Sequence, residues 1–209
     1  MKYATLFGLA LSCMTFAACQ SDSYYVKGKA KNIKDKDTLI LSYDLKQGTP
    51  ADTIIVKEKE FRLHGHADSV RMAMIYRAKY PEQNAVFFLE NGNIDIDLST
   101  TPLKSRVKGT TLNNEWQRFN DSVFHYAMMI NSTMENSSRH NGMTEDGKEV
   151  ARKLEKIIRE CSLCVRQFAY DNLDNKLGDY IISSMPEDIL DKKTRKEIIN
   201  KKKEKEMSE

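Results

Sequence analysis

The chain is short of the residues that build disulfide scaffolds, tight backbone loops and membrane spans. It has four cysteines, four prolines, nine glycines and one tryptophan in 209 residues. So few cysteines exclude a disulfide-dense secreted scaffold. The sparse, unclustered glycines exclude the phosphate-cradling loops of nucleotide sites, and no Gly-x-Ser-x-Gly elbow is present. Charge of one sign is missing too: 33 basic residues face 30 acidic ones, a net of +3. No basic field of the kind that holds nucleic acid is expected. Only one long apolar run exists, and it is too short to span a bilayer.

That run, Ala4 to Phe16, follows Lys2 and leads into Phe16-Ala17-Ala18-Cys19. A positive start, an apolar segment, two small residues and a cysteine make a bacterial lipoprotein signal. Residues 1–18 are therefore read as a removed signal peptide. Cys19 is the lipidation site: its sulfur takes a diacylglyceryl group, and the new N-terminus takes a further palmitate-like acyl chain. Two or more chains give stable anchoring, since each buried methylene contributes about 0.8 kcal/mol. Membrane association through this anchor, in the cell envelope and at its outer membrane, is the expected location. The sequence does not choose between its periplasmic and surface faces.

Residues 19–23 read as a tether. From Tyr24 the apolar pattern has period two, with strands expected over 24–31, 38–43, 53–56, 60–64, 69–77, 85–89, 94–98 and 106–108. Turn signals separate them, including Tyr80-Pro81-Glu82 and Asn91-Gly92-Asn93. Asn-Gly between two such runs predicts a hairpin. At Gly109 the period changes to that of a helix. Leu112, Trp116, Phe119, Val123 and Ala127 fall on one stripe. A second helix is predicted over 148–173, after a polar loop at 136–147. Gly178 reads as a breaker, followed by a short helix at 179–185 that Pro186 stops. The Lys/Glu-rich tail at 186–209 has too little apolar surface to be expected to pack. The fold class is α+β: an N-terminal antiparallel β-sandwich or partly open barrel over 24–109, then a helical region over 110–185.

Four segments carry a family resemblance. Val26-Lys27-Gly28-Lys29-Ala30 comes first, then Asp52-Thr53-Ile54 leading to Glu60-Phe61-Arg62-Leu63-His64-Gly65. Phe88-Leu89-Glu90-Asn91-Gly92-Asn93-Ile94 and Val107-Lys108-Gly109-Thr110 with Asn113 follow. In order and spacing these resemble a domain of unknown function at the N-terminus of Bacteroidetes thiol-disulfide interchange lipoproteins. The resemblance extends through Asn172-Leu173-Asp174-Asn175-Lys176-Leu177-Gly178-Asp179-Tyr180. Such relatives continue into a thioredoxin-like domain with Trp-Cys-x-x-Cys. This chain has its only tryptophan at Trp116, and that domain needs on the order of 100 further residues. The resemblance therefore implies no catalytic residue here.

Cys161-Ser162-Leu163-Cys164 is the one motif with redox spacing. It falls mid-helix, where the helix dipole gives little help in acidifying a thiol. A structural disulfide or a pair of buried thiols is expected. His64 and His66 share a strand face opposite Phe61 and Leu63, without a third ligand in sight, so no metal is expected. His125 and His140 read as surface residues, and Glu90 as a turn carboxylate. Asp-Ser/Thr-aliphatic triplets place candidate O-glycosylation at Thr38, Thr53, Ser69 and Ser122.

The function expected is that of a non-catalytic, lipid-anchored envelope module with a protein partner, without cofactor and without nucleic acid. One alternative is an accessory or truncated member of a thiol-disulfide interchange system. Another is a glycan- or peptide-binding lipoprotein, which needs Tyr24, Tyr25, Tyr76 and Tyr80 on one face.

Overall fold

The computed structural model describes residues 22–45, 50–101, 103–137 and 145–208. Eight strands precede four helices: β1 (Tyr24–Lys29), β2 (Thr38–Ser42), β3 (Asp52–Ile55), β4 (Glu60–Gly65), β5 (Arg71–Arg77), β6 (Tyr80–Leu89), β7 (Gly92–Asp97) and β8 (Arg106–Lys108), then α1 (Thr111–Ser137), α2 (Glu145–Asp171), α3 (Lys176–Ser184) and α4 (Lys192–Glu206). The strands form two four-stranded sheets, ordered β4-β1-β7-β8 and β3-β2-β5-β6. This is the expected α+β layout, with two packed sheets rather than a closed barrel.

The alternating residues of both sheets meet between them. Val26, Leu63, Ile94, Ile96 and Val107 from the first sheet pack on Leu39, Leu41, Ile75, Phe87 and Leu89 from the second. Phe61 lies across its partner Gly28, where a Cβ would come within 1.9 Å of the ring. Only glycine leaves room for that aromatic, so this pair sets the β1–β4 register.

Several sequence expectations are corrected. The first sheet is not purely antiparallel: β1 pairs with β7 in parallel, Val26 opposite Ile94. Asn91-Gly92 is no hairpin, because β6 and β7 belong to different sheets. It is a corner between sheets, with Gly92 at φ +132°. Tyr80-Pro81-Glu82 lies within β6 rather than between strands. Pro81 is tolerated there because β6 is an edge strand, and proline's missing N–H interrupts no central ladder.

A second core joins the helices to the outer side of β6. Phe88, Trp116, Phe119, Val165, Ala169, Leu177, Ile181, Leu190 and Ile198 form it. Gly178 is no breaker. It sits inside α3, where a Cβ would be 2.0 Å from the Asn172 carbonyl oxygen, so α3 crosses the end of α2 at backbone distance. The helix opens instead at Asn175, whose side chain accepts from Leu177 N and Gly178 N.

The tail also differs from expectation. Asp191 caps α4 by accepting from Lys193 N and Thr194 N. Leu190 and Ile198 are 1% and 0% exposed. Ile189 packs beside them, and ion pairs link the tail to the preceding helical segments: Arg166 with Glu197, Lys202 with Asp179, and Lys205 with Asp174.

A candidate binding cleft beside a sealed seam

Helix α1 lies along the seam where β6 and β8, the last strands of the two sheets, approach each other. Its first two turns carry Asn113, Asn114, Trp116 and Gln117, and each bonds a backbone group in an edge strand or, for Asn114, just past the end of β8. Asn113 Oδ1 accepts from Phe88 N at 2.9 Å, while its Nδ2 donates to Phe88 O at 2.8 Å. Trp116 Nε1 donates to Val86 O at 2.7 Å. Gln117 Oε1 accepts from Val107 N at 2.7 Å, and Asn114 Oδ1 accepts from Gly109 N at 3.1 Å. Ser105 Oγ adds a bond to Asn84 O at 2.6 Å. Open sheet edges invite pairing with other chains, and covering them removes that hazard. Here side-chain amides do what a further strand would otherwise do.

Next to the sealed seam is a cleft of about 360 Å³. Val86, Val107 and Trp116 form its apolar wall, with Val123, Phe124 and Ala127 from α1. Leu45 and Leu103 stand at its rim, 39% and 76% exposed, from two separate loops. Leu103 holds φ at +62°, a left-handed conformation unusual for a bulky side chain. Tyr180 and Asn120 are also in the lining, and neither the Tyr180 hydroxyl nor the Asn120 amide makes a hydrogen bond among the described residues. Burial pushes the Tyr180 phenol above its ordinary pKa, so it is a neutral hydrogen-bond donor at physiological pH. The Asp121 carboxylate, also in the lining, is engaged by Arg106 at 2.6 Å and Gln117 at 3.0 Å. Chemically the cleft offers shape, apolar contact and two hydrogen-bonding groups. Sequence reasoning placed Trp116, Val123 and Ala127 on a core stripe. It gave no role to Asn120, Tyr180 or Leu103, which share a wall only because α1, α3 and the β7–β8 loop meet there.

The other sequence-derived residues are scattered. Cys161 is buried in the second core and Cys164 is half-exposed one turn on, both as free thiols in α2. Burial, with a smaller contribution from Cys164, pushes the Cys161 thiol up, away from the thiolate that redox exchange uses. His64 is exposed on the outer face of its sheet, beside Tyr25. His66 Nε2 lies 3.3 Å from Asp68 Oδ1. No group of three metal-ligating residues forms among the described residues. Glu90 accepts from Thr110 Oγ1 and from Asn113 Nδ2 at 3.4 Å, beside the start of α1. Burial raises its pKa, and the Thr110 bond opposes this.

Thr53 and Ser69 are exposed, whereas Thr38 and Ser122 are half-buried. Ser122 Oγ donates to Arg118 O at 3.0 Å. The four tyrosines named for the glycan or peptide alternative do not share a face. Tyr24 packs against the sandwich core and Tyr25 points outward from the same strand. Tyr76 is 7% exposed and belongs to the other sheet, as does Tyr80. His125 is exposed next to Tyr126. Cys19 and His140 lie outside the described residues.

The architecture defines a two-sheet β domain continued by a helical layer. Comparison of the sequence with known families finds a match over the β part and the start of α1. Residues 24–116 match the model of a domain of unknown function, DUF4369. The match ends at Trp116, inside α1, so it takes in the Asn113 and Trp116 contacts that seal the seam. No curated protein and no solved structure matches the chain. No helix among the described residues is long and apolar enough to cross a membrane.

Proposed function

We propose that this chain is a non-catalytic, lipid-anchored module of the cell envelope, tethered at the outer membrane, that binds a partner through the cleft beside α1. The observation carrying the binding role is the cleft itself, with apolar walls, two rim leucines and the uncommitted Tyr180 and Asn120 groups. Pockets of a few hundred Å³ with a few convergent polar groups are the usual form of a binding site. The anchor is supported by Phe16-Ala17-Ala18-Cys19 and by the position of β1. The folded domain starts at Tyr24, and the 19–23 tether spans at most about 18 Å when extended. That length holds the domain against the bilayer surface.

Detergent-phase partitioning of wild type and Cys19→Ala tests the anchor: the wild type enters the detergent phase after processing, and the variant remains an unprocessed precursor. Normal processing and acylation of the variant refute it. The cleft is tested with the fluorescent apolar anion anilinonaphthalene sulfonate, read by quenching of Trp116, the only tryptophan. Saturable quenching is expected and is lost in Ala127→Phe, which fills the cleft from an exposed helix position. Equal quenching in the variant refutes the cleft as the binding surface.

A further inference from the structure

Helix α4 carries eight basic and three acidic residues in fifteen positions. The basic side chains divide into two sets. Arg195 donates to Met185 O at 2.9 Å and Leu190 O at 3.0 Å, Lys202 pairs with Asp179, and Lys205 pairs with Asp174 at 2.6 Å. These dock the helix. Lys192 pairs with Glu187 at 3.4 Å, and Lys201 stands over the Tyr170 ring. Lys193, Lys196 and Lys203 are exposed and make no side-chain ion pair among the described residues.

At 100° per residue, Lys192, Lys196 and Lys203 fall within one narrow arc, with Lys193 on its flank. Met207, 80% exposed, follows in the same arc. Glu197 and Glu204 lie beyond that flank, and Glu206 borders the other side. The face directed away from Ile198 is therefore basic, with Met207 in it and the half-buried Ile199 at its edge beside Glu206.

The placement of α4 adds a second observation. Asp174 and Lys202 line one cleft together with Glu90, at the end of β6. Two residues on, Gly92 N donates to Ser23 O at 2.9 Å. The C-terminal half of α4 and the point where the folded chain meets its tether are thus at the same end of the molecule.

We infer that the exposed lysine face of α4 docks on the anionic headgroups of the bilayer to which the chain is anchored. This rests on the lipoprotein reading for its choice of membrane over other polyanions. Basic segments beside an anionic leaflet gain about a kcal/mol per lysine, or roughly fivefold in affinity, and the gain decays within a Debye length. The anchor then fixes the protein to the membrane, and α4 fixes its orientation on it.

Co-sedimentation with vesicles tests this. The mature chain, residues 19–209 carrying Cys19→Ala and produced without the signal peptide, is mixed with phosphatidylcholine vesicles, and with phosphatidylcholine–phosphatidylglycerol vesicles. A preference for the anionic vesicles that weakens as salt rises is expected. Lys193→Gln, Lys196→Gln and Lys203→Gln together should reduce the preference by about 100-fold, with the helical circular dichroism unchanged. Equal binding to both vesicle types, or a preference that survives the triple substitution, overturns the inference. The lipoprotein reading is judged separately, by detergent partitioning of the wild type, so the two can fail independently.

Discussion

Replacing Asn113 by alanine is the sharpest test of the seam. The amide is fully buried and bonds both backbone groups of Phe88, at 2.9 and 2.8 Å. Its Nδ2 also reaches Thr110 Oγ1 at 2.9 Å. Alanine leaves the Phe88 N–H and C=O without partners in a site closed to water. Each such orphan costs about 1–3 kcal/mol, so the substitution should destabilise by about 2–5 kcal/mol. Against a typical stability of about 5–15 kcal/mol, that is a large fraction. In a chain of this size it corresponds to a Tm lower by roughly 5–20 °C. The assay is urea denaturation followed by Trp116 fluorescence. Trp116 packs edge-on against Phe88 and Tyr180, so its emission reports on the seam directly. Asn113→Asp sharpens the test. It keeps an acceptor for Phe88 N but sets a carboxylate beside Phe88 O and Glu90, so it should be worse at neutral pH and partly relieved in acid. A cost below about 0.5 kcal/mol for Asn113→Ala, within the range of ordinary surface changes, would refute the reasoning.

The β3–β4 turn places Glu58 and Lys59 both at positive φ, +52° and +59°, with Lys57 and Glu60 exchanging backbone bonds of 2.9 Å. This is the geometry that favours Asn-Gly, so Lys59→Gly should raise stability by about 1 kcal/mol in denaturant titration. At Gly109 the opposite holds: φ is +120° and a Cβ would sit 2.2 Å from the Asn93 carbonyl oxygen, so Gly109→Ala should destabilise by more than about 2 kcal/mol. Cys161 should alkylate more slowly than a free cysteine, and its rate should keep rising past the pH where free thiols level off, because burial raises its pKa. Asp179 is pushed up by burial but brought below its ordinary pKa by Lys202 and Lys176 together. Its contribution to stability is therefore present above the unfolded pKa and lost as pH falls through the lower folded one. Contact of α4 with α3 should weaken only in strong acid, seen as selective loss of amide-exchange protection around Ile198.

Much of the β domain was legible because alternation is local. Val26, Leu39, Leu41, Leu63, Ile94 and Ile96 each announce a buried face by their neighbours' polarity. What alternation cannot state is the partner. Nothing near Val26 indicates that Ile94 will lie beside it in parallel, or that Asn91-Gly92 turns between sheets and not within one. The tail was misread for a related reason. Leu190 and Ile198 are the two fully buried apolar residues of a charged run, and the carboxylates that hold its lysines, Asp174 and Asp179, are supplied from outside it. The cleft was illegible because its wall is assembled from three separate elements, and the seam because Asn113 and Gln117 read as ordinary polar helix residues until the edges they cover are known.

The central position of β1 has a mechanical consequence. The strand joined to the tether has six residue pairs on each side, with β4 and with β7. Tension drawn through Ser23 acts along the strand axis and loads both ladders together, in shear. An edge strand pulled from its end can be unzipped one bond at a time, but a flanked strand must slide past two neighbours. Under the anchoring proposed above, drag on the protein would be met by a strand held on both sides rather than by an edge.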